Sequence, residues 1–245
     1  MQAALSSADS LRGEVAVPPD KSISHRAAIL GALAVGRTTA RPFLSSQDCL
    51  STLSCLKSLG VDLDLTDDTL TVEGEGPEGW REPTTVLDAG NSGTTLRILT
   101  GALAGRPFES VISGDDSLRS RPMARIVEPL RRMGAEITGP EKGSKPPLTI
   151  KGGGLHGAEH HMEVESAQVK SALLLAGMQA EGKTRIIGGR SSRDHTDRML
   201  LLMGADLDLT GEKSMIISRS RLKGREFVIP GDISSASFLI AAAVM

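Results

Sequence analysis

Apolar and polar positions along the chain spell out one pattern three times. Residues 11–17 alternate apolar and polar side chains, as a strand with one buried face does. The turn Pro18-Pro19-Asp20-Lys21-Ser22 follows, and 23–35 is almost wholly apolar or small, which predicts a helix buried on every side. Two prolines hold the approach extended, and Asp20 or Ser22 is suited to cap the first free backbone donors. Residues 36–40 return as a short strand. Ser45-Ser46-Gln47-Asp48 resembles a cap for a second helix, whose Leu50, Leu53, Leu56 and Leu59 share one face and which stops at Gly60. Residues 61–65 and 69–73 complete the unit as strands joined at Asp67-Asp68.

The second unit has a strand at 85–87, a turn Asp88-Ala89-Gly90-Asn91-Ser92-Gly93-Thr94, an apolar helix over 96–104 and a strand at 111–113. Its second helix runs over 122–133 and closes on Gly134, with strands at 135–138 and 148–151. A third unit opens with a strand at 162–164, turns at Glu165-Ser166-Ala167-Gln168, buries 173–177 and returns through 184–187. Its second helix, near 194–203, ends at Gly204. The phrases Leu59-Gly60-Val61-Asp62-Leu63, Met133-Gly134-Ala135-Glu136-Ile137 and Met203-Gly204-Ala205-Asp206-Leu207 recur roughly 70 residues apart, the mark of a tandem repeat. Each glycine suits the left-handed residue that ends a helix and turns the chain into a strand. The expected fold is therefore α/β (α+β), three βαβαββ repeats in tandem. A fourth copy starts at 227–237 and continues into the apolar 238–244, so the sequence reads as the first part of a longer or two-piece protein.

Three buried helices thus begin at polar turns. If the repeats pack around one axis, Lys21, Ser22, Arg26, Asn91, Gly93, Ser166 and Gln168 converge, joined by Arg119, Arg121 and Arg193 from the starts of the second helices. Free backbone N–H groups, the helix dipole and guanidinium forks favour phosphate or carboxylate. Repeat architecture explains caps and glycines, but it does not require arginines beside them.

Composition narrows the partners. In 245 residues the net charge is -2, aromatic residues make up 2% and Tyr is missing, which disfavours nucleic acid. Neither a signal peptide nor a bilayer-spanning run is indicated, so a cytoplasmic protein without membrane attachment is expected. Cys49 and Cys55 read as small buried apolar residues rather than a disulfide pair. His156, His160 and His161 lack a metal-ligand pattern, since adjacent residues of a strand point to opposite faces, and no metal is expected. The Gly152-Gly153-Gly154 and Gly211-Glu212-Lys213-Ser214 segments lack the full phosphate-loop spacing and read as turns. No nucleophile elbow or activated Cys supports covalent catalysis.

The motifs DKSISHRA (20–27), DAGNSGTTLR (88–97), SLRSRPM (117–123), ESAQVKSALLLAG (165–177), SRDHTDRM (192–199) and PGDISSASFLIAAA (230–243) occur in this order. Together they resemble the N-terminal half of the 5-enolpyruvylshikimate-3-phosphate synthases (3-phosphoshikimate 1-carboxyvinyltransferases). The resemblance implies repeats with helices inside and mixed sheets outside, one domain of an inverse α/β barrel-like fold. It divides the chain into a tail and crossover strand (1–17), a transferase domain (18–231) and the truncated start of a second domain (232–245). It also implies transfer of the enolpyruvyl group of phosphoenolpyruvate to the 5-hydroxyl of shikimate 3-phosphate, in aromatic amino acid biosynthesis, without a cofactor. Lys21, Ser22, Arg26, Ser166, Gln168 and Arg193 would then hold shikimate 3-phosphate. Lys21, Asn91, Gly93, Arg121 and Gln168 would face phosphoenolpyruvate, with Lys21 as the catalytic residue. Glyphosate would be an inhibitor at the phosphoenolpyruvate position. Ala167 stands where many relatives carry Ser, and Ile98 where many carry Pro. A complementing C-terminal domain would supply the remaining acid, base and cationic groups, so the chain alone is expected to turn over weakly or not at all. The alternative is a noncatalytic ligand-binding or complementation fragment. The UDP-N-acetylglucosamine enolpyruvyl transferases fit DKSISHRA and SAQVKS less well, and no catalytic Cys loop is present.

Overall fold

A computed structural model describes residues 12–244. The first repeat contains α1 (Lys21–Leu33), β1 (Ala34–Arg41), α2 (Gln47–Ser58), β2 (Asp62–Thr66) and β3 (Thr69–Glu75). The second contains β4 (Leu87–Asp88), α3 (Gly93–Leu103), β5 (Glu109–Ser113), the short α4 (Asp116–Arg119), α5 (Ala124–Arg132), β6 (Glu136–Thr138), the single turn α6 (Pro140–Gly143) and β7 (Leu148–Lys151). The third contains β8 (Glu159–His161), α7 (Ala167–Gly177), β9 (Lys183–Ile187), α8 (His195–Leu202), β10 (Leu207–Asp208) and β11 (Ser214–Ser218). The short strands β12 (Leu222–Lys223) and β13 (Glu226–Val228) and the helix α9 (Ile233–Val244) follow.

The apolar helices α1, α3 and α7 bury nearly every residue past their first turn, because they have no polar face to offer water. They form the centre, with three separate sheets around them and no closed barrel among the described residues. Gly101 brings α3 and α7 to backbone contact, since a Cβ there would stand 2.3 Å from the carbonyl oxygen of Ala172. Gly60, Gly134 and Gly204 have φ of +83°, +103° and +91°, the left-handed turn that the recurring phrase predicts. Cys49 and Cys55 are free and buried, and burial pushes their thiols up to about 11 and about 12. Among the described residues, no helix is long and apolar enough to cross a membrane.

Sheet order shows where the pattern misled. In the second and third repeats the first strand pairs parallel with the next, β4 with β5 and β8 with β9. In the first repeat that place beside β1 is taken by β12 and β13 from the far end of the chain, both parallel to β1. The strand expected at 11–17 is not formed: residue 11 lies outside the described residues, and 12–17 make no ladder. Pro19 instead forms an isolated antiparallel bridge to Gly231, flanked by bonds from Asp20 N to Pro230 O and from Asp232 N to Pro18 O, both 2.8 Å. Residues 227–229, read as opening a fourth unit, therefore complete the first sheet. The strand expected at 162–164 forms three residues earlier, as β8, where His160 turns into the core and His161 to solvent. Helix α1 stops at Leu33 rather than at 35, because Val35 and Gly36 already pair with Glu75 and Gly74 in the sheet. Helix α9 is apolar yet buries none of its described residues, and Phe238 is 81% exposed.

Candidate functional site

The N-termini of the three inner helices are each closed by a side chain of their own. Asp20 accepts from Ile23 N at 2.8 Å, Ser92 from Thr95 N at 3.1 Å and Ser166 from Val169 N at 3.4 Å. The choice between Asp20 and Ser22 falls to Asp20, which leaves Ser22 inside the helix with its hydroxyl on the surface of the site. Beneath these caps one chain of polar side chains crosses the otherwise apolar interior. His25 Nδ1 meets Thr52 Oγ1, Thr52 meets Thr95, and Thr95 donates to Ser92, each at 2.7 Å, joining α1, α2 and α3. Burial holds the His25 imidazole down to about 3, so it is neutral.

Arg26 is 4% exposed and links α1 to α7 and α8. Its Nε donates to Thr196 Oγ1 at 2.6 Å, Nη2 to Ser171 Oγ at 2.9 Å and Nη1 to Ser22 O at 2.9 Å. Burial lowers its pKa to about 10, still cationic at neutral pH, with Asp20 opposing the shift and Arg193 adding to it. Beside it, Arg193 Nη1 donates to Ser22 Oγ at 3.0 Å. That bond uses Ser22 as acceptor and leaves its hydroxyl proton to donate. The loop carrying Arg193 is fixed by Glu165, whose two oxygens accept from Gly189 N at 2.9 Å and Ser192 N at 3.2 Å.

Lys21 Nζ sits 2.9 Å from Asp48 Oδ2, with side chains 45% and 29% exposed. A pair this open is worth roughly 0–1 kcal/mol, so an anionic ligand can draw the ammonium away at little cost. Asn91 bridges two charges. Its Nδ2 donates to Asp115 Oδ2 at 2.7 Å while its Oδ1 accepts from Arg121 Nη2. The hydrogen bond from Asn91, followed by that from Leu118 N, holds the Asp115 carboxyl below its ordinary value.

Gln168 joins α7 to α3, its Oε1 accepting from Arg97 Nη1 at 2.9 Å and its Nε2 donating to Thr94 Oγ1 at 3.0 Å. Arg97 thus enters the site, although sequence reasoning assigned it no role. Its one signal was position, one turn past Gly93 on the same helix face. Burial, with Arg121 and Arg125 nearby, lowers its pKa. A Cβ on Gly93 would stand 2.7 Å from Arg97 Nη1 and 3.3 Å from Arg121 Nη1, so the bare glycine gives both guanidiniums their room.

The expected site residues fall into linked groups at the N-terminal end of the inner helices: Lys21 with Asp48, Ser22 with Arg26 and Arg193, Asn91 with Arg121, and Gln168 with Arg97. Ser166 caps the α7 turn among them, and Gly93 opens α3. Cations, free hydroxyls and helix N-termini at one end suit a ligand with more than one negative group. Among the described residues, no cluster of His, Cys, Asp and Glu is placed to hold a metal ion.

The family model for EPSP synthase (3-phosphoshikimate 1-carboxyvinyltransferase) matches residues 5–245. The 3-phosphoshikimate 1-carboxyvinyltransferase of Shouchella clausii is 52% identical over 232 residues, which cover 95% of this chain and 54% of the relative. That of Geobacillus kaustophilus is 52% identical over 233 residues, 95% of this chain and 55% of the relative. The solved EPSP synthase of Acinetobacter baumannii superposes with a TM-score of 0.88 at 42% identity, over 93% of this chain and 52% of its own. The chain thus spans about half the length of the curated relatives it matches.

Proposed function

The chain belongs to the EPSP synthase family, and from that premise we propose that it forms the shikimate 3-phosphate side of an enolpyruvyl transferase site. In the proposed reaction the 5-hydroxyl of shikimate 3-phosphate gives up its proton to a base as its oxygen bonds to C2 of phosphoenolpyruvate, and C3 takes a proton from an acid. The resulting tetrahedral intermediate then loses a C3 proton and inorganic phosphate to give the enol ether. Both substrates are anions, and the observation that carries the reading is the set of cations at the N-terminal end of α1, α3 and α7.

In this reading Ser22, Arg26, Ser166, Gln168 and Arg193 hold shikimate 3-phosphate, with Arg193 toward its phosphate. The hydroxyls of Ser22 and Ser166 accept bonds from Arg193 and Val169 and keep their protons for ligand oxygens. Asn91, Gly93, Arg121 and Gln168 face phosphoenolpyruvate, and Lys21 leaves Asp48 to stand between the two substrates as the catalytic cation. Fixed cations of this kind stabilise charge that develops on the departing phosphate. Glyphosate takes the phosphoenolpyruvate position. Residues 18–231 act as one domain, and 232–245 as the start of a second that supplies the acid and base groups. The unburied apolar surface of α9 supports that division.

The test is complementation. The pure chain is expected to bind shikimate 3-phosphate weakly and to show almost no turnover. Adding a separately produced chain spanning the remaining half of the Shouchella clausii relative is expected to restore phosphate release. Robust steady-state turnover by the pure chain would overturn the half-site reading. Stable association without phosphate release would favour a noncatalytic complementation module instead.

A further inference from the structure

At the other end of the inner helices the carbonyls left free by α1, α3 and α7 are met by neutral donors. Trp80 Nε1 donates to Ala32 O at 2.9 Å, Gln179 Nε2 to Ala102 O at 3.0 Å and to Leu175 O at 2.8 Å, and Gly153 N to Ala104 O at 3.0 Å. Arg106, three residues past the end of α3, is therefore not needed to cap a helix. It is 7% exposed, and its Nε is sealed from solvent without a hydrogen-bond partner among the described residues. An unmet buried donor costs free energy, and no hydrogen bond from Nη1 or Nη2 to the described residues offsets it, so the part of the guanidinium that lines the neighbouring cavity is left to take an acceptor. Burial lowers its pKa, Glu78 opposes that shift and Arg219 adds to it.

Arg106 lines a cavity of about 400 Å³, within the range of small-molecule pockets, together with Trp80, Phe108, Leu155, Glu181 and Arg219. Two guanidiniums in one cavity suit a planar carboxylate held at two points. Trp80, Phe108 and Leu155 offer an apolar wall. Glu78 and Glu181 also line the cavity and oppose an anion that carries more than one charge. We propose that this cavity is a second ligand site, which takes a small organic monocarboxylate with an apolar body, its carboxylate on Arg106 and Arg219. The inner helices, 11 to 13 residues long, separate it from the cationic end by about 16–20 Å. The proposal is independent of the transferase reading.

Trp80 is the only tryptophan in the chain and lines the cavity, so its emission reports occupancy. Titrating 3-phenylpropanoate into the full chain is expected to give a saturable change in that emission. Arg106→Gln is expected to weaken the apparent affinity about tenfold or more, through loss of charge-assisted bonds. Arg121→Gln, at the opposite end, is expected to leave it unchanged, and inorganic phosphate to give no response. No saturable change with 3-phenylpropanoate, an unaltered affinity in Arg106→Gln, a parallel loss in Arg121→Gln, or phosphate binding as tight as the carboxylate would each overturn the proposal. If circular dichroism shows that Arg106→Gln does not fold, the exposed Arg219→Gln carries the same test, with the same tenfold loss expected.

Discussion

Lys170 Nζ lies 2.8 Å from Asp197 Oδ2, with the lysine side chain fully buried and the aspartate 3% exposed. The pair ties the inner helix α7 to α8, and the second carboxylate oxygen, Oδ1, is buried without a partner among the described residues. Removing one partner strands the other charge in the core, so Lys170→Met is expected to cost about 3–5 kcal/mol in urea unfolding. The double variant Lys170→Met/Asp197→Leu is expected to recover most of that loss, because no charge is then left to desolvate. A double variant no better than the single one would show that the pair has no apolar substitute.

Gly93→Ala separates fold from site. Gly93 is the first residue of α3, where alanine is favoured over glycine by less than the roughly 1 kcal/mol of a helix interior, and the obstructing atoms are the ends of two flexible arginines. The melting temperature is expected to stay level or rise. In the complemented two-chain enzyme proposed above, the inhibition constant for glyphosate is expected to rise about tenfold, as the new methyl shifts Arg97 and Arg121 beside the proposed phosphoenolpyruvate position. An unchanged inhibition constant would remove Gly93 from that position.

Arg193 and Arg26 carry the same charge in different surroundings. Arg193 is exposed and contacts Ser22, so in the reading proposed above Arg193→Ala is expected to weaken shikimate 3-phosphate binding about tenfold to a hundredfold with stability almost unchanged. Arg26 is buried with three partners, so Arg26→Lys is expected to lower stability as well as binding. Calorimetric titration beside thermal unfolding distinguishes the two. Equal stability losses would contradict the geometry.

Acid should loosen the fold before its carboxylates titrate. Burial lowers His25 from 6.5 to about 3 and, with Arg132 adding to it, His160 to about 4. The unfolded chain therefore binds more protons than the folded one below about pH 6.5. The stability from these neutral imidazoles is full above that pH and is lost as pH falls toward 4 and then 3. Each histidine contributes a slope of about 1.4 kcal/mol per pH unit inside its window. His160→Leu is expected to flatten the unfolding free energy between pH 6.5 and 4, and an unaltered slope would count against a neutral buried His160.

The repeat was legible because its signals are local. Gly60, Gly134 and Gly204 each mark a helix end, and a helix such as 93–103 needs no partner to be recognised as buried. The swap of β12 and β13 into the first sheet was not legible, since strands of two and three residues carry no periodicity and their partner lies far away in sequence. Lys170 was hidden for a related reason: a lysine within an apolar helix acquires meaning only when Asp197 arrives from another element. In the site, Lys21, Asn91, Gly93 and Arg121 stood out by motif. Arg97, Asp48 and Glu165 did not, because their contribution is to hold other side chains, and such contacts emerge only from packing.

The parallel pairing of β1 with strands near residue 225 also sets the order in which the molecule can be completed. A ribosome delivers α1 and β1 before the other two repeats, yet the neighbour that closes their sheet emerges only after both of those have been made. Because long-range strand pairing is the slow step in folding, the repeat made before the other two is finished after them, and its open edge stays unpaired until then.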